Sequence, residues 1–78
     1  MITTLEKLKN KDTAVVREIQ GGIGIRQRLG HLGVHPGDMI QVVRTGFFGG
    51  PVLIKIHGVE VAIGQGMARK IEVDLPEA

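Results

Sequence analysis

Residues 21–33 read GGIGIRQRLGHLG and set five glycines around Arg26, Arg28 and His31. Such a mixture can cradle a phosphate, reach for a nucleic acid, or simply bend a chain. A phosphate loop requires GxxxxGK[ST], and no such run occurs here. A dinucleotide fingerprint requires GxGxxG. Gly22-Ile23-Gly24 is followed by Ile25-Arg26-Gln27, so the third glycine is missing. An anion at the start of the following helix is physically allowed but lacks its motif. The favoured reading is structural. Gly21, Gly22 and Gly24 turn the chain out of a strand, and Arg26 and Arg28 lie on a helix face away from Ile25 and Leu29.

His31 and His35 are four residues apart, a spacing that would put two metal ligands on one face of a continuous helix. Gly33 and Pro36 end the helix between them, so they read as exposed, unrelated side chains and only weak metal candidates. His57 falls in a turn and should face solvent. No cofactor is expected. The chain has no cysteine and no serine, and no carboxylate pair stands on an apolar background. A nucleophile needs a base and an orienting group beside it, so the chain reads as non-enzymatic. Glu72 and Asp74 alternate on the outer face of a strand, where charge is normally solvated.

Ten Lys and Arg against eight Asp and Glu give a net charge of +2, a weak basic bias. Lys7, Lys9 and Lys11 form a basic run, with Arg17, Arg26, Arg28 and Arg44 elsewhere. Single-stranded nucleic acids are held on aromatic platforms, and the chain has neither Tyr nor Trp. Phe47 and Phe48 are its only aromatics, adjacent in the glycine loop GFFGG. A small barrel can plug one end with one of them and leave the other as an exposed apolar patch, the mark of an interaction site. The alternative is that both fold down as a lid on the core.

The elements that position these residues are mostly strands. Thr3 to Leu8 reads as a short helical turn from the Thr3–Glu6 capping spacing. Asn10-Lys11-Asp12 is a turn. Thr13 to Gln20 reads as a strand with Val15 and Ile19 on one face, a face that Arg17 spoils. Ile25, Leu29 and Leu32 recur as one helical face, stopped by Gly33. Met39 to Thr45 is a strand, and 46–51 a loop. Val52, Ile54 and Ile56 alternate with Leu53, Lys55 and His57, and Val59, Val61 and Ile63 alternate with Glu60 and Ala62. A two-residue turn at His57-Gly58 pairs 56 with 59, 54 with 61 and 52 with 63, all six facing inward. Gly64 to Lys70 turns, with a helical twist, into a last strand over 71–75. The expectation is one domain, 1–78, mainly β: a small barrel, closed or nearly so, of about five strands with one short helix between the first two. No apolar run approaches the ~20 residues that span a bilayer, so no direct membrane insertion is expected.

Leu29, Leu32-Gly33-Val34, Pro36-Gly37, Ile40 and Val42 form a series that resembles the ferrous iron transport protein A family, FeoA. The likeness begins at Leu5 and Leu8. It continues through Gly50-Pro51, the 52–63 hairpin, Ala68, Ile71 and Val73. It implies an SH3-like barrel, similar also to the C-terminal domain of DtxR-type metal-dependent repressors. Asn10-Lys11 departs from the family's usual Pro-Gly, although Asn tolerates the left-handed conformation such turns need. Gly64 stands where a basic residue is usual.

The resemblance implies an accessory protein of ferrous iron uptake in the cytoplasm, recruited to the inner face of the membrane by its partner. That partner is the FeoB-type transporter, whose cytosolic part carries a GTP-binding domain. Phe47, Phe48, Arg26 and Arg28 are the expected contacts. The alternative is a small basic barrel binding nucleic acid or the ribosome through its N-terminal half. Pairing of copies through exposed strand edges is a further possibility.

Overall fold

The hairpin over 52–63 forms in the register its alternation dictates. In the computed structural model, which describes residues 1–76, strands β4 (Val52–Ile56) and β5 (Val59–Ile63) pair Val52 with Ile63, Ile54 with Val61 and Ile56 with Val59. The turn residues His57 and Gly58 have φ of 51° and 77°, the two left-handed positions of a type I′ turn, whose twist matches that of the strands. Val52, Ile54, Ile56 and Ile63 are buried and Val61 is half-buried. Val59 is 59% exposed, so the sixth residue of the expected inner face lies beyond the core.

Four more strands complete one antiparallel sheet: β1 (Ile2–Thr4), β2 (Thr13–Ile19), β3 (Met39–Arg44) and β6 (Ile71–Asp74). The spatial order is β1-β6-β2-β3-β4-β5. The ladder ends at β1 and β5 without joining them, which leaves the barrel open between these two edges. Helix α1 (Ile23–His31) connects β2 to β3, and the short helix α2 (Gln65–Ala68) connects β5 to β6. The core is wholly apolar among the described residues. It is built from Ala14, Val16 and Ile19 of β2, Ile40 and Val42 of β3, Ile71 and Val73 of β6, Leu29 of α1 and the hairpin residues.

Three expectations need correction. Thr3 to Leu8 is not one helical turn. Ile2–Thr4 is a strand on β6, and only Leu5–Lys7 form a 3-10 turn. The Thr4 hydroxyl, not Thr3, bonds the Glu6 carboxylate. On β2 the buried residues are Ala14 and Val16, not Val15. A bulge sets Val16 opposite Val73 and Glu18 opposite Glu72, two residues against one, and this shifts the phase so that Ile19 also points inward. Arg17 is therefore no defect in an inner face. It lies in the bulge, with its Nε 3.8 Å from a Glu72 oxygen, where it offsets the like charges of Glu18 and Glu72. Finally, the left-handed residue of the first turn is Lys11, at φ 72°, rather than Asn10.

Helix α1 ends where Gly33 predicts. Val34 N–H reaches the Leu29 carbonyl at 2.9 Å, and Gly33 N–H reaches the Gly30 carbonyl at 2.9 Å. With Gly33 at φ 86°, this is a Schellman cap, and the buried pair Leu29 and Val34 supplies its hydrophobic contact. Leu29 is fully buried and Ile25 packs on the core, whereas Leu32 is 40% exposed past the helix end.

Candidate docking surface

The 46–50 loop holds both phenylalanines outside the barrel. Phe47 is 71% exposed and Phe48 fully so; neither plugs an end nor forms a lid. The loop is a tight 3-10 turn over Phe47–Gly49, closed by Gly50 N–H to the Phe47 carbonyl at 2.9 Å. Phe48 sits in the left-handed region, at φ 53° and ψ 40°, which costs an L-residue about 1–2 kcal/mol. Gly46 packs so closely that a Cβ there would lie 1.9 Å from the Gly50 carbonyl oxygen.

Two distant side chains pin the base of this loop. Asn10 Oδ1 accepts the Thr45 N–H at 2.9 Å, and Gln65 Nε2 donates to the Gly50 carbonyl at 3.0 Å. The sequence marks Asn10 only as a turn residue and gives no sign of Gln65, because side-chain bonds to backbone 35 and 15 residues away leave no local pattern. The Asn10 bond also sets the exposed Lys9 and Lys11 beside a loop that follows Arg44.

Arg26 and Arg28 are both exposed but do not share a face. Arg26 donates through Nε to the Ile19 carbonyl at 3.3 Å and borders a groove with Glu18, Ile19, Val34, His35 and Pro36. Arg28 borders a different groove, with Gly24, Ile25 and Met67. Two residues apart on a helix are about 200° apart around its axis, so the pair straddles α1.

The histidines are arranged differently from their spacing. His31 is the last residue of α1, so the helical i, i+4 relation to His35 is broken. His35 and His57 instead meet Asp38. His57 Nε2 lies 3.1 Å from Asp38 Oδ1, and Asp38 Oδ2 accepts the His35 N–H at 2.9 Å with His35 Nδ1 3.6 Å away. Partial burial pushes the Asp38 carboxyl up. The His35 N–H, the His57 contact and the charges of the two rings outweigh it and hold the group below its ordinary 3.8. His57 is exposed, as expected, but it is also a tie between the hairpin tip and the turn before β3. No group of three or more His, Cys, Asp or Glu among the described residues is arranged to hold a metal ion. Glu72 and Asp74 are half-buried, and Asp74 takes the N-terminal ammonium at 3.2 Å. No helix among the described residues is long and apolar enough to cross a membrane.

The arrangement offers a protruding aromatic loop, pinned at its base, on a small barrel. Comparison with known proteins agrees in fold and in family. The chain is 38% identical over 66 residues to a Methanocaldococcus jannaschii protein assigned by name to Fe(2+) transport protein A, covering 85% of this chain and 78% of that one. A crystal structure of an iron uptake regulatory protein, FeoA, superposes with a TM-score of 0.89 at 36% identity, covering 95% of this chain and 97% of the other. A manganese-dependent transcriptional repressor superposes with a TM-score of 0.88 at 20% identity. It is matched over 96% of this chain and 42% of its own length, a likeness of fold alone. The FeoA domain model matches residues 3–75, from the first strand to the residue after the last. With nearly every element of the barrel inside that match, the chain belongs to the FeoA domain family of small proteins associated with ferrous iron transport.

Proposed function

We propose that this chain is a non-enzymatic accessory protein of ferrous iron uptake that docks on the cytosolic part of a FeoB-type transporter. It acts in the cytoplasm and is brought to the inner face of the membrane by that partner. The observation that carries the reading is Phe48, fully exposed on a loop whose base is pinned by Asn10 and Gln65. Aromatic side chains dominate interface hot spots. A loop already held in one shape loses less freedom on binding than a mobile one. Arg26 or Arg28 adds a charged contact from one flank of α1, not from both at once. Docking modulates the transporter only as far as the barrel binds one of its conformations better than the other.

The test is a titration of the whole chain against the cytosolic domain of such a transporter. Phe48→Ala is expected to weaken binding by more than about tenfold, the loss typical of an interface anchor, with no loss of fold. Unchanged affinity removes the loop from the interface. The salt dependence separates this reading from nucleic-acid binding by Lys9, Lys11 and Arg44. Phosphate contacts weaken steeply with salt, whereas an aromatic anchor does not.

A further inference from the structure

Among the described residues, strand β5 ends the sheet, with β4 on one side and no strand on the other. The hairpin turn decides which of its backbone groups are used. Across a two-residue turn the flanking residues Ile56 and Val59 exchange both hydrogen bonds, and alternate pairs repeat this at Ile54 with Val61 and Val52 with Ile63. The N–H and C=O groups of Glu60 and Ala62 therefore point away from β4, and among the described residues none of them takes part in a turn, loop or cap bond. Natural sheets blunt such edges with proline, charged side chains or a bulge, and the one such device on β5 is Glu60. The β5 sequence VEVAI has no proline or lysine, and its ladder has no register shift.

We propose that this edge pairs antiparallel with the same edge of a second copy of the chain, about a two-fold axis through Val61. In that register Glu60 faces Ala62 of the second copy, and each such pair exchanges two hydrogen bonds. Every free backbone group of Glu60 and Ala62 is then satisfied in both copies. The strand's one charge falls opposite alanine. A slip that sets Glu60 on Glu60 brings like charges together and is disfavoured. Val59, 59% exposed in the single chain, takes the register position opposite Ile63 of the second copy. A foreign strand would have to reproduce this match of phase and charge, which a second copy supplies by symmetry. Val52 pairs with Ile63, so the preceding aromatic loop lies toward the Ile63 end. The two loops of the pair point to opposite ends and stay free for docking. The inference thus stands on a surface separate from the proposed transporter contact.

Two substitutions test it. In this register Val61 faces itself as a non-hydrogen-bonded pair, with Cα atoms about 4.5 Å apart, a separation a disulfide can bridge. The chain has no cysteine, so Val61→Cys introduces the only thiol. Under mild oxidation it is expected to form a covalent dimer at least about tenfold faster than a Lys55→Cys control, through the higher effective concentration of the paired thiols. Ala62→Pro removes one outward N–H and no bond to β4. The unmodified chain is expected to sediment at twice 8.4 kDa as concentration rises, and Ala62→Pro to remain single with the same far-ultraviolet spectrum. If Ala62→Pro does not fold, amide exchange at Glu60 and Ala62 in the unmodified chain decides, and slowing with concentration supports the pairing. A single-chain mass at every concentration, equal cross-linking by the two cysteine variants, or exchange independent of concentration overturns it.

Discussion

Asn10 and Thr45 are joined across the fold: the Asn10 side-chain oxygen accepts the Thr45 backbone N–H at 2.9 Å. Thr45 is the last residue before the aromatic loop, so one amide ties the first turn to the proposed docking element. Asn10→Ala removes the acceptor and leaves the N–H to water. The expected loss is about 1 kcal/mol, as for one exposed hydrogen bond. The Thr45 amide should exchange with solvent faster than the amides of β4. Urea midpoints and amide exchange check both, and unchanged Thr45 exchange would mean that the loop is pinned without Asn10.

Lys11, the neighbour of Asn10, holds a backbone conformation that suits glycine. Its φ is 72°, and its N–H bonds the Val42 carbonyl at 2.8 Å, so the turn cannot relax without breaking a contact to β3. A left-handed L-residue costs about 1–2 kcal/mol, part of which returns as extra freedom of glycine in the unfolded chain. Lys11→Gly is therefore expected to raise stability by about 0.5–1 kcal/mol, read as a higher urea midpoint at constant slope. Phe48→Gly relieves the same kind of strain but deletes the side chain proposed to dock. It should stabilise the chain while weakening transporter binding.

These two residues also mark what a sequence can and cannot reveal. The 52–63 hairpin was legible because two independent signals, alternation and turn length, require one register. The Schellman end of α1 was legible because Gly33 has a single conformational use there. The phase of β2 was not, because a bulge adds a residue at Arg17 and Glu18 and turns an apparent defect in the pattern into a regular inner face. Strand β1 was missed because three residues are too few to show a period. The exposed Phe47–Phe48 loop was recognisable as unusual, but its pins were not. Asn10 and Gln65 act through the fold, as do His35 and His57 on Asp38.

Asp38 makes acid stability depend on that last cluster. Its carboxyl titrates below 3.8 in the folded chain and near 3.8 when unfolded. The unfolded chain therefore binds the proton more readily, and stability falls as pH drops. The contribution is complete above about pH 4–5 and is lost as pH falls through the folded value. Asp38→Asn is expected to flatten this acid limb and to lower stability at neutral pH. Melting temperatures measured from neutral pH downward check it, and an acid limb of unchanged steepness in Asp38→Asn would assign the effect to another carboxylate.

Gly46 provides the sharpest test of whether the loop is held or merely tethered. A Cβ at this position meets the Gly50 carbonyl oxygen at 1.9 Å and its carbon at 2.7 Å, and it also crowds Gln65 Nε2 at 2.7 Å. Backbone cannot yield as a side-chain tip can, so Gly46→Ala must open the loop and break the Gln65 bond. The expected loss is about 2–4 kcal/mol, in the range of backbone strain combined with a broken contact. Transporter binding should fall with it, because the phenylalanines are then no longer presented in one shape. Gly64→Ala is the matched control: no atom lies within 4 Å of its added Cβ, and its φ is −60°. Gly64 is also the N-cap of α2, where alanine is less favourable, so that variant should stay within about 1 kcal/mol of the unmodified chain. Thermal melts of the two variants, with transporter titrations beside them, separate a rigid loop from a flexible one. If Gly46→Ala melts and binds as Gly64→Ala does, close packing of the loop contributes nothing to its display of Phe47 and Phe48.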